Sequence, residues 1–417
     1  MEIAALLLLS LMILMIIVSP LGRLSPAAIL AGAWGLVYAL QSIFASDMKS
    51  SFLATISIFS ITLAFAVGEI IGCKCLKSEN IKLNNISNLN HELDIIKNES
   101  RLKKIVIFFG VLSIAGALQY ANALGLFEAS SFAELIILPG AARAQIFSGE
   151  LDVPFVSRIG FLLSYSGVIL SLFYYYIYRW RWFLALPMIA ILLLGMSQSG
   201  RAGVMIVILQ IIIAVYLKSL VIMKQSAMHL LFRGLLPPIL LLTIIFFAGQ
   251  FLREGFSSVD SSDFSRVLYT LRGYLFGGVS AFSSWIDNVY NVKNISFGRY
   301  SYSSLFAALG IYPQAPGVYD EYLAISLTGE TSNLFTAYRS FIDDFSIVGA
   351  CFLYFLSGII TGFIGIKFVR GRSDFILILI PVISWLAYSP LSSLTYFNSF
   401  LLSCFFPFYI SRSLLKS

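Results

Sequence analysis

Apolar runs of about 18 residues or more recur along this chain, each long enough to cross roughly 30 Å of hydrocarbon. They are continuous rather than alternating, which selects helices over a β-barrel. The fold class read from them is an all-α polytopic membrane protein. About 11 transmembrane helices are expected, at 2–19, 25–45, 51–73, 105–127, 158–178, 182–199, 203–222, 235–252, 345–366, 373–391 and 394–411. Of the 417 residues, 59% are hydrophobic and 12% charged, against about 25% charged in soluble domains. Little of the chain is left for a soluble body.

One stretch breaks the pattern. Residues 253–344 form a single long loop, which divides the chain into eight spans with short loops (1–252), the loop itself, and three last spans (345–417). The segment Met1 to Pro20 has no basic n-region and no small-x-small cleavage site, so it reads as a retained first span.

Sidedness follows from the basic residues. Arg23, Lys74 to Lys104, Arg179 and Arg181, Lys218, Lys224 and Arg233, Lys367 to Arg372, and Arg412 and Lys416 fall in alternate connectors. The positive-inside rule makes that side cytoplasmic. The C-terminus is then inside, and the long loop is external. The net charge of +7 is accounted for by this bias and carries no signal for nucleic acid. The connector 74–104 reads as a solvated helical linker or a partner-docking helix. Cys73, Cys75, Cys351 and Cys404 lie at or within spans, so no disulfide framework is implied, and no metal site is expected. Charges inside spans are scarce, Glu69 being the clearest, which argues against a proton-coupled transporter. Gly358-x-x-x-Gly362 permits close helix packing.

The external residues carry the chemical signal. Only Lys49 and Lys293 are lysines there; the other cations are arginines, among them Arg143, Arg201, Arg253, Arg272, Arg299 and Arg339. Topology needs only charge, so a bias to arginine points to forked recognition of phosphate or carboxylate. Arg201 opens a span, where it and the free helix N–H groups could face an anion; the alternative is a snorkelling arginine. Within the loop, Leu268, Leu271, Leu275, Val279, Phe282, Ile286 and Val289 recur at helical spacing, which predicts an amphipathic helix lying on the outer surface. Tyr300, Tyr319, Tyr322 and Tyr338 suit glycan binding, although tyrosine is also favoured at any membrane interface. Thr331 is expected to cap a short helix carrying Asn333, Arg339, Asp343 and Asp344. Arg339 and Asp343 are also spaced for an intrahelical ion pair. With no external histidine, a general base must be a carboxylate: Asp343, Asp344, Glu330, Asp320 or Glu321. Asp344 is taken as base or acceptor-orienting group, with Asn333 and Arg339 beside it.

Ser197-Gln-Ser-Gly-Arg201 at a span mouth, Thr331-Ser-Asn-Leu-Phe-Thr336, and Asp343-Asp-Phe-Ser346 before Gly349, set in this layout, resemble the Wzy-type O-antigen polymerases. More broadly they resemble the oligosaccharide repeat-unit polymerases. The resemblance implies a multi-pass protein of the bacterial inner membrane with a GT-C-like fold. It implies metal-independent, cofactor-free glycosyl transfer at the periplasmic face. The substrates would be undecaprenyl-pyrophosphate-linked oligosaccharides, with membrane lipid around them, and it leaves open a chain-length regulator as partner. By motif it maps onto Arg201, Asn333, Arg339 and Asp344; Arg143, Arg253, Arg272 and Arg299 are candidates for pyrophosphate by position alone. Family members often carry Asp-Phe-Gly where this chain has Ser346, which leaves the role of that glycine open. An O-antigen ligase would be expected to carry an external histidine near the loop's end, and His91 and His229 are both cytoplasmic in this topology. A lipid-linked oligosaccharide flippase would show polar spans and an internal repeat; neither is present.

Overall fold

The computed structural model describes residues 1–75, 99–128, 130, 153–197, 202–223, 240, 261–292, 295–312, 319, 321–327 and 329–416. Twelve α-helices make up these residues: α1 Glu2–Val18, α2 Pro26–Phe44, α3 Phe52–Cys75, α4 Glu99–Ala123, α5 Phe155–Ile177, α6 Leu186–Ser197, α7 Ala202–Lys218, α8 Ser261–Asn288, α9 Ser303–Ala308, α10 Ala337–Val369, α11 Ile376–Tyr388 and α12 Asn398–Lys416. Two short strands, β1 Leu323–Ala324 and β2 Thr331–Ser332, pair antiparallel. The chain is all-α in class. Among the described residues, six helices are long and apolar enough to cross a membrane: α2, α3, α4, α5, the stretch Ala202–Val221, and α10. By length and hydropathy it is a multi-pass membrane protein. The spans expected at 2–19, 182–199 and 373–391 are shorter helices, α1, α6 and α11, of 17, 12 and 13 residues. The one at 394–411 begins at Asn398 and carries Pro407 inside it. The expected span 235–252 lies almost wholly outside the described residues.

By packing, the chain falls into two compact units. One compact unit takes residues 1–85, 268–370 and 385–397; the other takes 86–267, 371–384 and 398–417. Much of the long loop is thus integral to a helical unit and is not a separate body.

In the first unit, α3 and α10 run parallel, since Gly68 lies against Phe355 and Gly72 against Ile359. Their glycines interlock. A Cβ on Gly68 would meet the Phe355 carbonyl oxygen, and one on Gly72 the Ile359 carbonyl; one on Gly358 would meet that of Phe65, and one on Gly362 that of Glu69. The Gly358-x-x-x-Gly362 signal therefore has a matching partner, Gly68-x-x-x-Gly72, and the backbones approach where neither has a side chain. Glu69 is fully buried. Its carboxylate accepts from Ser19 Oγ at 2.7 Å, Ser25 Oγ at 2.6 Å and the Ala27 N–H at 2.7 Å. Ser25 is the N-cap of α2 and Pro26 its first residue, so Glu69 completes the cap of that helix.

The amphipathic helix is present as α8, but it does not lie on a surface. Residues 276–286 are buried on every side. Its small polar residues are the reason: Gly278 faces the carbonyls of Pro390 and Leu391, Ser280 Oγ accepts from Gln41 Nε2 at 2.9 Å, and Ser284 Oγ donates to the Ala324 carbonyl at 2.6 Å. The face expected to meet water meets protein instead: backbone carbonyls at Gly278 and Ser284, and the Gln41 side chain at Ser280.

The second unit is built on α4, α5, α6, α7 and α12. Gly116 of α4 and Gly160 of α5 face one another directly, each too close to the other's backbone for a Cβ. Tyr120 and Phe161 pack edge to face beside them, ring centres 5.1 Å apart.

Candidate functional site

The polar cluster at the start of α10 is brought together by the β1–β2 hairpin. Leu323 faces Ser332 and Ala324 faces Thr331, so the chain doubles back between Glu321 and Phe335 and sets both beside Arg339. The hairpin is held in turn by Asp47–Lys49: the Lys49 N–H donates to the Ile325 carbonyl at 2.8 Å, and the Leu327 N–H to that of Asp47 at 3.3 Å. Thr331 lies in β2; the N-cap of α10 is Thr336, not Thr331.

Arg339 is only 2% exposed. Its guanidinium carbon lies 3.7 Å from the ring centres of both Tyr319 and Phe335, and 4.9 Å from Trp285. The rings of Tyr319 and Phe335 stand at 68° to each other, so the cation sits in a corner of ring faces. Nη2 pairs with Glu321, and Nε donates to Asp343 Oδ2 at 3.4 Å. The expected intrahelical pair is present. Nη1 is buried and has no hydrogen-bond partner among the described residues. The Tyr319 hydroxyl donates to Asp343 Oδ2 at 2.9 Å, and its ring stacks on Tyr300, 5.1 Å between centres. Burial first, then the phenol of Tyr396 and the carboxylate of Asp343, push the Tyr319 hydroxyl well above its ordinary range, so it stays protonated and donates.

Glu321 takes Nη2 and Asp343 takes Nε, and the buried Nη1 is the one donor of Arg339 left without a partner among the described residues. Arg339 is a rigid positioning group for two carboxylates. Glu321, whose side chain is 39% exposed, is the one open to a ligand.

Asp344 differs from the expectation. Its side chain points away from Arg339, and it is fully buried. Its carboxylate accepts the Tyr300 N–H on both oxygens at 3.1 Å and the Ser301 N–H at 2.6 Å. The main-chain carbonyls of Asp343 and Asp344 accept from the N–H groups of Ser296 and Phe297. Asp344 is therefore the anchor of the 296–301 turn, its lone pairs occupied by backbone.

The other proposed residues sort by surroundings. Arg272 pairs with Asp47 and, at 3.7 Å, with Glu330. Arg299 is exposed, 5.7 Å from the ring centre of Tyr300 and 5.9 Å from that of Tyr312, with no carboxylate partner among the described residues. Tyr322 is exposed. Tyr338 is core: it stacks on Trp34, 4.8 Å between centres, and shares a 3.0 Å hydrogen bond with Thr62, which removes it from the glycan set. Asn333 is half-buried with no hydrogen bond among the described residues. Arg143, Arg201, Arg253 and Asp320 lie outside the described residues. Sequence reasoning missed Trp285 and Phe335 as walls of the site; Phe335 carries a local signal, four residues before a buried arginine on the same segment. Among the described residues no group of three or more His, Cys, Asp or Glu is disposed to hold a metal ion.

No protein-family model, curated protein or solved structure matches this chain.

Proposed function

We propose that this protein is a glycosyltransferase that polymerises oligosaccharide repeat units carried on undecaprenyl pyrophosphate, at the external face of a bacterial inner membrane. The observation that carries the proposal is the pairing of a half-exposed carboxylate, Glu321, with an arginine fixed among three aromatic rings, next to the Tyr300–Tyr319 stack. Stacked phenol rings suit the apolar face of a sugar, and a fixed carboxylate suits an acceptor hydroxyl.

In this reading Glu321 takes the proton from the acceptor hydroxyl of the incoming unit. The acceptor oxygen bonds to the anomeric carbon of the growing glycan. The bond from that carbon to the pyrophosphate oxygen breaks, and the pyrophosphate leaves with the electron pair. Arg339 holds Glu321 in place throughout, and Asp343 with Tyr319 holds Arg339. The charge that grows on the leaving pyrophosphate is met by external arginines, for which Arg143, Arg201 and Arg253 are the candidates by position. Asp344 positions the turn that carries Arg299 and is a structural residue, so the base assignment moves from Asp344 to Glu321.

The test is the banding of surface polysaccharide in a strain from which the gene has been deleted. A single repeat unit on the lipid core is expected. An unchanged ladder, or no repeat unit at all, would overturn the proposal; the latter outcome belongs to a ligase or a flippase.

A further inference from the structure

The turn anchored by Asp344 displays side chains that its own fold does not use. Phe297 is 69% exposed and has φ +51°, a left-handed conformation that is unfavourable for a bulky aromatic residue. Gly298 follows with φ +99°, and its missing side chain leaves room for the Phe306 ring. Phe306 in turn packs on Tyr312, 5.9 Å between centres, whose hydroxyl donates to the Ser296 carbonyl at 3.3 Å. The 295–312 segment thus has a small interior of its own. Outside that interior stand Ile295, Phe297, Leu305, Leu309 and Ile311, all exposed large hydrophobics. Arg299 is exposed in the same turn, and α9 has no buried residue at all.

The height of this tongue is fixed by its anchor. It hangs from Asp343 and Asp344 by main-chain and carboxylate hydrogen bonds. Just past the kink at Ser346, Val348 of α10 is 79% exposed. It begins a stripe of exposed apolar residues, continuing through Phe352, Leu356 and Ile360, on a helix long and apolar enough to cross a membrane. Such a stripe faces acyl chains. The tongue is therefore held at the level where that stripe starts, and its exposed surface combines apolar side chains with a single forked cation.

From this we infer that residues 295–312 form a membrane-surface anchor. Phe297 and Leu309 enter the upper acyl region of the leaflet at the N-terminal end of α10, and Arg299 binds phospholipid phosphate. The buried carboxylate of Asp344 locks the strained turn that presents them. The ligand is the phospholipid of the bilayer itself. The inference stands apart from the glycosyl-transfer proposal, since it needs no substrate.

The test is photocrosslinking of the full chain in nanodiscs of phosphatidylethanolamine and phosphatidylglycerol. Phe297→p-benzoyl-phenylalanine and Leu309→p-benzoyl-phenylalanine are each irradiated, and adducts are read by mass spectrometry. The same replacement at Val348 reports that the protein is inserted. Phospholipid adducts are expected at all three positions. Adducts at Val348 with none at 297 and 309 would overturn the inference. Adducts at 297 that form only when undecaprenyl pyrophosphate is added would overturn it as well, because the tongue would then read substrate and not bilayer. With Arg299→Gln added to the Phe297 probe, the phosphatidylglycerol share of the adducts is expected to fall several-fold; an unchanged share would overturn the phosphate contact.

Discussion

Two arginines of the first unit each hold two carboxylates, and they are built for opposite conditions. Arg272 reaches Asp47 and Glu330 with a quarter of its side chain in solvent. Arg339 reaches Glu321 and Asp343 with 3% of its side chain exposed, enclosed by Tyr319, Phe335 and Trp285. The composition of charge is the same. What differs is the medium, and with it the strength of every Coulomb term and the cost of leaving any one group unpaired. The first cluster ties the Asp47 loop to the β-hairpin. The second spends burial on fixing the geometry of a single half-open carboxylate, which is an arrangement a reacting site needs and a tie does not.

The sharpest way to break that contrast is Arg339→Ala. It leaves Asp343 enclosed without its cation, and an expected loss of about 3–5 kcal/mol would be read from unfolding in detergent. A loss no larger than that of Arg272→Ala would end the distinction. Next comes Glu321→Gln, which keeps shape and hydrogen-bonding capacity. A fall of roughly 10²–10⁴-fold in polymer formation by purified protein is expected, with little change in stability. Equal activity of the Gln variant would take the base role from Glu321.

The Arg339 cluster also stands beside strained backbone. Ser346 lies within α10 at φ 64° and ψ 171°, a region that glycine occupies without penalty and other residues do not. Ser346→Gly is expected to stabilise the protein by about 1 kcal/mol; destabilisation would mean that the hydroxyl matters more than the angle. The smallest effect belongs to the exposed cluster. Arg272→Ala is expected to cost under about 1 kcal/mol and to leave polymer length unchanged, checked by the same unfolding assay and by gel banding.

Much of this was legible from residue spacing. The apolar runs predicted nearly every described helix, and the i, i+4 spacing of Arg339 and Asp343 predicted their pairing. The rest depended on distance along the chain or on direction. Glu321 and Tyr319 lie some twenty residues before Arg339 and reach it only through the hairpin, whose two-residue strands leave no periodic signal. Asp343 and Asp344 are neighbours, yet about 100° of helix rotation separates them, so one faces the arginine and the other faces the backbone of the 296–301 turn. The apolar stripe of α8 was read correctly and its opposite face was not, because Gly277, Ser280 and Ser284 carry no apolar side chain and yet pack as small residues. Ser346 shows what sequence does not: at this position the backbone has a positive φ, which a glycine would adopt without strain.

The buried carboxylate of Glu69 bears on how such a chain is made. An ionisable side chain within a span is costly to insert unless it finds polar partners. Glu69 lies in the third helix, and its three hydrogen-bond donors all come from the turn joining the first two. That hairpin leaves the ribosome first, so the donors are already waiting when the acid arrives. The glycine-lined face beside it, at Gly68 and Gly72, stays open until Gly358 and Gly362 are synthesised nearly three hundred residues later. The first three helices are thus a seed that closes one side early and keeps the other vacant through most of translation.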